Sequence, residues 1–481
     1  MLPKGGDLPC ALFFPADYAV GSANLGIHAI FRSLREQGIG VERFFAEPNP
    51  RRSVDSDARL DQFPLLLAGI SYEGDIARFY RWLIDGRIPL SPQDRAEGDF
   101  PLVGAGGAIS YINPLTLSGV CDFIVLGDAL PVLPFLLKEL REWRGSNNRA
   151  KLMENLASHE SILVPSLHLK DLRSTQTLRV SVEPLSGKPM LSSWLTPRSI
   201  FGKTLLIELQ RGCCRGCSYC VLPKSYAPFR QRAAEDVLLE LERVAGNADF
   251  DQVGLVTPEA GDYPYLSKIL DKLETLNKGV SFASLRADAL TPSMVKALVR
   301  GGRHSITLAP ETGGDILRAH CGKKFTNDQF IEALHLAQAY GVKQAKLYFM
   351  VGLPQETAEN IEEIALLCKR IQDETSLIIH LSIGPLIPKP GTPWENEPFW
   401  SEQDIKNKYK AIKSGLHRHL KRQPVLNFTS VREAKKEFLL SWADNHLSSE
   451  YAVQIEKNGS EMPTHDTREQ AIEQLIRLGL H

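Results

Sequence analysis

Long apolar runs are missing from this sequence, and so is any excess of charge. No stretch reaches the roughly 18 consecutive apolar residues needed to cross a bilayer, so no membrane span is expected. Lysine and arginine number 56 against 57 aspartate and glutamate, a formal net charge of −1. That balance lacks the basic excess by which a whole-chain nucleic-acid binder is recognised. Cysteine is sparse, at 8 in 481 residues, which excludes a disulfide-stapled scaffold. The N-terminus, Met1-Leu2-Pro3-Lys4-Gly5-Gly6, runs into an apolar stretch bounded by Pro15 with no small-residue cleavage pattern, so a cytoplasmic address is expected. What remains is a globular composition, 43% apolar and 23% charged, in a chain too long for one ordinary core.

The apolar residues fall into strand–helix alternation. Ala11–Phe14, Leu65–Ile70, Leu102–Gly107 and Phe123–Gly127 are continuous apolar runs, and a helical pattern covers Asn24–Gln37. Continuous runs suit parallel strands covered on both faces, so residues 1–145 are expected to form a doubly wound, flavodoxin-like α/β domain. Residues 146–203 read as a connecting segment with short β-like pieces at 162–164 and 177–180. From Thr204 the alternation resumes, with strands expected at 204–209, 252–257, 280–285, 304–309, 345–351 and 377–383. Six βα units suit a partial parallel (β/α)6 barrel over 204–395, with chemistry at the strand carboxyl ends. Residues 396–481 form a small, mostly helical extension with one further strand signal at Val425–Phe428.

Half of the cysteines crowd into one loop, Arg211-Gly212-Cys213-Cys214-Arg215-Gly216-Cys217-Ser218-Tyr219-Cys220, directly after the first barrel strand. Its core is Cys-x3-Cys-x2-Cys. Thiolates hold iron–sulfur clusters, and three of them on a four-iron cluster leave one iron without a protein ligand. A zinc site is the competing reading; it normally wants a second Cys-x2-Cys pair, which is lacking, although Cys214 offers a fourth thiolate. Gly212 and Gly216 would let the loop wrap closely around a cluster.

This spacing, with the aromatic Tyr219 before the last cysteine, resembles the signature of the radical S-adenosylmethionine (SAM) superfamily. The resemblance implies a [4Fe–4S] cluster on Cys213, Cys217 and Cys220, whose open iron binds SAM and whose electron cleaves it. It also implies SAM contacts on later strand ends. Ser284 and Arg286 would face SAM's charged end, an ion pair between Arg286 and Asp288 being the alternative. Glu311, in a turn resembling the family's Glu-Ser-Gly, and Arg318 after it would also reach SAM. Gly352 and Leu353 match the fifth-strand motif where adenine approaches. Thr257-Pro258-Glu259-Ala260-Gly261-Asp262 occupies the place of the family's Gly-Gly-Glu motif but departs from it, leaving the partner of SAM's amino group unassigned. The Pro-rich stretch 385–394 is similar to that after the barrel in methylthiotransferases and cobalamin-domain relatives.

The N-terminal half resembles the cobalamin-binding domain of one radical SAM subgroup, on Gly104–Gly107, Asp122–Asp128 and Gly69-Ile70-Ser71. The cobalt-ligating Asp-x-His-x-x-Gly is absent: with Gly26 as its glycine, Ala23 stands in the histidine position and Gly21 in the aspartate position. His28 lies nearby on the helix and is expected to be an ordinary surface or half-buried residue. The domain is therefore expected to keep the fold without the cobalamin. The function implied is SAM cleavage to start radical chemistry on an unidentified substrate, with a reductant such as flavodoxin or ferredoxin as partner. A cobalamin-dependent methyltransferase, a methylthiotransferase acting on RNA, and a non-catalytic electron carrier or redox sensor are the alternatives. The methylthiotransferase would need a second three-cysteine site, whereas this half contains only Cys10 and Cys121. Lys406, Lys408, Lys410, Lys413, Arg418, Lys421 and Arg422 decorate one C-terminal helix and read as a solvated face, with nucleic acid as the other reading.

Overall fold

The two faces of the first strand explain the architecture of the N-terminal half. In β1 (Pro9–Asp17) Cys10, Leu12 and Phe14 pack with Ile27, Phe31 and Leu34 of the helix Leu25–Glu36 and with Leu133 and Leu136 of the helix Leu133–Ser146. Ala11 and Phe13 turn the other way, onto Ile76, Phe79 and Leu83 of the helix Ile76–Asp85. Side chains alternate along a strand, so a run apolar at every position is a strand with two buried faces. The computed structural model describes residues 6–170, 177–457 and 466–480; residues 171–176, within the expected connecting segment, lie outside that description.

Around β1, parallel pairing joins β2 (Gly40–Glu47), β3 (Leu65–Gly69), β4 (Leu102–Gly106) and β5 (Phe123–Val125) in the order β2-β1-β3-β4-β5. A sixth strand, β6 (Ile162–Leu163), adds an antiparallel edge. This is the doubly wound sheet the sequence implies. One layer on it was not legible. Leu440, Tyr451, Ile455, Leu475 and Leu478 share the core of Ala11 and Phe13. The helices Val431–Ser441, Asn445–Glu456 and Arg468–Leu478 thus bring the end of the chain back onto the first sheet.

The second half begins with β7 (Thr204–Glu208), followed at once by the short ribbon of β8 (Gln210–Arg211) and β9 (Arg230–Gln231). β10 (Gln252–Val256) and β11 (Gly279–Phe282) complete a parallel sheet in the order β11-β10-β7. β12 (Ser305–Glu311), β13 (Gln344–Val351), β14 (Ile378–Pro385) and β15 (Val425–Phe428) form a second parallel sheet in that order. The six expected barrel strands are all present, and the strand signal at 425–428 adds a seventh beside β14. Within each sheet the strands have their carboxyl ends at one edge, as parallel pairing requires. Between the halves, Leu191 bridges antiparallel to Ile207 and Arg32 donates to the Leu191 carbonyl at 2.7 Å. Among the described residues, no helix is long and apolar enough to cross a membrane.

Candidate functional site

The cysteine loop is tied off at its base. β8 and β9 pair Gln210 with Gln231 and Arg211 with Arg230, so residues 212–229 leave and return at one point. Gly212 has φ +75°, and a Cβ there would lie 2.7 Å from the Tyr226 carbonyl, so only glycine fits. Gly216 has open space around it instead, and its place in the loop imposes no such need. Below the ribbon Arg211 donates to both Glu208 oxygens at 2.8 and 2.9 Å and to Glu183 at 2.8 Å, and lies 3.0 Å from Asp128. Arg230 donates to Asp128 at 2.8 Å, and Arg232 to Glu208 at 2.7 Å. Asp128 follows β5, so the base of the loop is ion-paired to the N-terminal sheet. Burial would raise its carboxyl, but Arg211 and the Arg230 hydrogen bond outweigh that and hold it below the usual range.

Cys217 is buried, Cys213 and Cys220 are half-buried, and Cys214 is exposed. Burial raises the thiols of Cys213 and Cys220, the latter to about 11; neighbouring thiols push the same way and backbone N–H groups of Arg215 and Leu222 oppose. Cys213, Cys217 and Cys220 thus lie within electrostatic reach of one another. The Cys214 thiol points elsewhere, 3.7 Å from the Asp262 carboxylate. Three soft donors on one loop, two of them with amide hydrogens nearby, fit an iron–sulfur cluster. Among the described residues no three His, Cys, Asp or Glu side chains are gathered for a single metal ion.

Residues 320–323 clamp the far side of this loop. The Ser218 N–H donates to the Cys321 carbonyl and its hydroxyl to the His320 carbonyl, both at 3.1 Å. Gly322 has φ +84°, and a Cβ there would lie 2.6 Å from the Gly216 carbonyl and 3.0 Å from the Cys217 Cα. Gly322→Ala is therefore expected to cost about 1–3 kcal/mol from backbone strain alone, and more from the clash. Thermal unfolding and the iron content of reconstituted protein check this; an unchanged variant would show that the 320–323 segment does not hold the loop.

Of the other expected residues, Tyr219 and Glu311 meet at the loop. The Tyr219 hydroxyl donates to Glu311 Oε1 at 2.6 Å, and the same oxygen accepts from Lys323 at 2.5 Å. Glu311 itself sits at φ +66°, a strained position for a side chain other than glycine. Arg318 is brought close in the chain but not into the open. Its guanidinium is fully buried and donates to Pro310, Thr312 and Phe325 carbonyls, Asp315 and Asn327. It braces the turn carrying Glu311, and no donor is left for a SAM carboxylate. Arg286 takes the ion-pair alternative, with two bonds of 2.9 Å to Asp288. Ser284 is exposed at the mouth. Gly352, at φ +77°, donates its N–H to Glu356 at 2.8 Å and lies under Trp400, while Leu353 is fully buried.

Glu259 lies in the segment that departs from the family's Gly-Gly-Glu motif. It is 2% exposed; Oε1 accepts the Gly261 N–H at 3.1 Å, and Oε2 has no partner among the described residues. Burial lifts its carboxyl to about 7, helped by the neighbouring Asp262 charge and opposed by the Gly261 bond and, less strongly, by the charge and backbone N–H of Arg286. A buried carboxylate oxygen without a donor is costly, so it marks a place where a positive group is wanted. Lys323, Trp400 and the orphan oxygen of Glu259 carry no distinguishing spacing in the sequence, and only their surroundings identify them.

A cavity of about 610 Å³ lies between the halves. Gly69, Gly106 and Gly107 at the N-terminal strand ends line one side, and Arg211, Val256 and Ser284 the other. His28 does not reach it. Contrary to expectation His28 is fully buried, stacked on Trp194 at 3.5 Å, with one ring nitrogen at 3.0 Å from the Ser22 carbonyl and the other accepting from the Ser193 N–H. Burial lowers it to about 4, so it is a neutral structural strut.

The chain matches the model of the radical SAM superfamily over residues 207–368 and that of the N-terminal region of radical SAM proteins over residues 33–165. An uncharacterized protein of Methanocaldococcus jannaschii is 27% identical over 88% of this chain and 86% of its own length. A tRNA-2-methylthio-N(6)-dimethylallyladenosine synthase of Anaplasma marginale is 24% identical over 51% of this chain; the chain spans about half (55%) of that relative. Among solved structures, the radical SAM methyltransferase TsrM of Kitasatospora setae superposes with a TM-score of 0.54 at 14% identity, covering 80% of this chain and 74% of that one. The cobalamin-dependent SAM radical enzyme OxsB gives 0.53 at 15% identity, covering 96% and 63%. Identities this low establish a common fold.

Proposed function

We infer that this chain, which belongs to the radical SAM superfamily, binds a [4Fe–4S] cluster on Cys213, Cys217 and Cys220 and cleaves SAM reductively to start radical chemistry where its two halves meet. The observation that carries the reading is the three-thiol loop at a strand carboxyl end, clamped on one side, together with the buried Glu259, whose Oε2 has no hydrogen-bond partner among the described residues. When bound, the cluster supplies the electron that splits a S–C bond of SAM, leaving methionine and a 5′-deoxyadenosyl radical that takes hydrogen from the substrate. The chain's own part is placement and exclusion of water. Glu259 would hold SAM's ammonium, Tyr219 and Glu311 would border the cluster, and Gly352 under Trp400 would offer a close backbone approach for a flat ring. A one-electron reductant such as flavodoxin or ferredoxin is the partner required. Anaerobically reconstituted protein is expected to release 5′-deoxyadenosine on reduction; no release with any reductant would sink the reading. An electron carrier or redox sensor would hold a cluster without binding SAM.

Glu259 makes SAM binding depend on pH. A neighbouring ammonium favours the ionised carboxylate. With a carboxyl at about 7 in the free chain, SAM is expected to bind about tenfold more weakly at pH 6 than at pH 8. Glu259→Gln should bind weakly and without that slope, as calorimetry on the reconstituted protein would read. The sign for stability is opposite: the folded value lies above the unfolded one, so stability falls as pH rises between about 4.5 and 7.

A corrinoid is the second reading, favoured by the cavity at the glycine-lined strand ends facing the barrel. The walls suit a bulky apolar group, but among the described residues no histidine lines them to serve as a cobalt ligand. Corrinoid analysis of anaerobically purified protein separates the readings. Methylthio transfer to RNA fits less well, because Cys10 and Cys121 are both fully buried and held as thiols by burial.

A further inference from the structure

Nothing in the sequence distinguishes Lys323 from its neighbour Lys324, yet the fold treats them oppositely. Lys324 is exposed, whereas the Lys323 side chain is 8% exposed and sits at the end of the clamp on the cysteine loop. Its ammonium donates to the Ala309 carbonyl at 2.7 Å and to Glu311 Oε1 at 2.5 Å. That same oxygen accepts the hydroxyl of Tyr219, which stands between Cys217 and Cys220. The charge of Lys323 reaches the thiols of Cys220 and Cys321.

A buried ion pair is a poor source of stability. Desolvation of the two charges offsets their attraction, and apolar replacements are often neutral or better. A pair kept beside the cysteine loop therefore suggests a use other than holding the fold. Reduction adds one negative charge to a cluster on these thiolates. A fixed cation nearby favours the reduced form, a fixed anion disfavours it, and net charge is among the factors that set cluster potentials.

We propose that Lys323 is a positioning residue whose ammonium raises the reduction potential of the cluster on Cys213, Cys217 and Cys220, while Glu311, which it holds against Tyr219, lowers it. The pair together sets how readily the cluster takes the electron. This rests on the reading of the three cysteines as cluster ligands.

The test is a redox titration of reconstituted protein with dithionite, followed by the paramagnetic resonance of the reduced cluster. In Lys323→Gln the reduced-to-oxidised ratio at a fixed potential is expected to fall about tenfold, equal to about 59 mV for a one-electron couple. Glu311→Gln should move the ratio the other way, and Lys323→Arg should stay within about threefold of the wild type. A merely structural pair would shift both glutamine variants in the same direction or neither, and either result overturns the proposal. If Lys323→Gln takes up no cluster, Glu311→Gln still decides: an unchanged or lowered ratio overturns it. A wild-type chain that takes up no cluster overturns the parent reading, and this one with it; a loaded wild type with unshifted variants overturns this one alone.

Discussion

Cys217→Ser is expected to reduce both cluster iron and 5′-deoxyadenosine formation to the background of a cluster-free chain. Cys217 is the buried member of the three and lies directly against the clamp, with its Cα 3.0 Å from where a Cβ on Gly322 would stand. A hydroxyl is a harder and more weakly acidic donor than a thiol, and two remaining thiolates cannot retain a four-iron core. Cys214→Ser provides the contrast. Its thiol is exposed and turned to Asp262, so the variant should keep its iron. Iron analysis and product assay of the two variants, reconstituted side by side, decide the matter. Retention of iron by Cys217→Ser, or its loss from Cys214→Ser, would reassign the ligands.

Asp128→Ala is expected to destabilise the chain by about 3–5 kcal/mol. The Asp128 carboxylate accepts from Arg230 at 2.8 Å, from the Glu183 N–H at 2.8 Å and from the Tyr111 hydroxyl at 2.5 Å, and Arg211 lies 3.0 Å away. Alanine leaves two largely buried guanidinium groups short of a counter-charge, with Glu183 and Glu208 left to share them. Asp128→Asn keeps the acceptor without the charge and should fall between. Chemical denaturation measures both. Arg211 and the Arg230 hydrogen bond hold the Asp128 carboxyl below the usual carboxylate range in the folded chain, so its contribution is complete at neutral pH and is lost as pH falls through the lowered folded value. Because Arg211 immediately precedes Gly212, the variant should also take up less iron than its residual fold would suggest.

These two substitutions differ in how far they were legible. Cys217 is marked by spacing alone: three cysteines within eight residues after an apolar run form a loop at a strand end in almost any parallel fold. The doubly wound half and the six barrel strands were legible for a related reason, since covering both faces leaves continuous apolar runs. Asp128 stands in the sequence only as part of a glycine-rich stretch, because its partner Arg230 is 102 residues away. A still larger separation in sequence hid the Lys389–Glu73 pair, 316 residues apart, which joins the loop after the barrel to the first domain. Arg286 and Arg318 show a further limit. Their residue type and position suited a carboxylate ligand, but packing supplied internal acceptors to both.

The sequence by itself determined the class of fold, the place of the cysteine loop and the spacing of its cysteines, because each depends on residues close together in the chain. The tertiary structure alone decided which charges stand around that loop. Burial gives Glu259 an oxygen without a partner, turns Lys323 inward and Lys324 outward, and closes His28 against Trp194 rather than the cavity. Desolvation and pairing are properties of surroundings assembled from distant segments, and no local pattern encodes them.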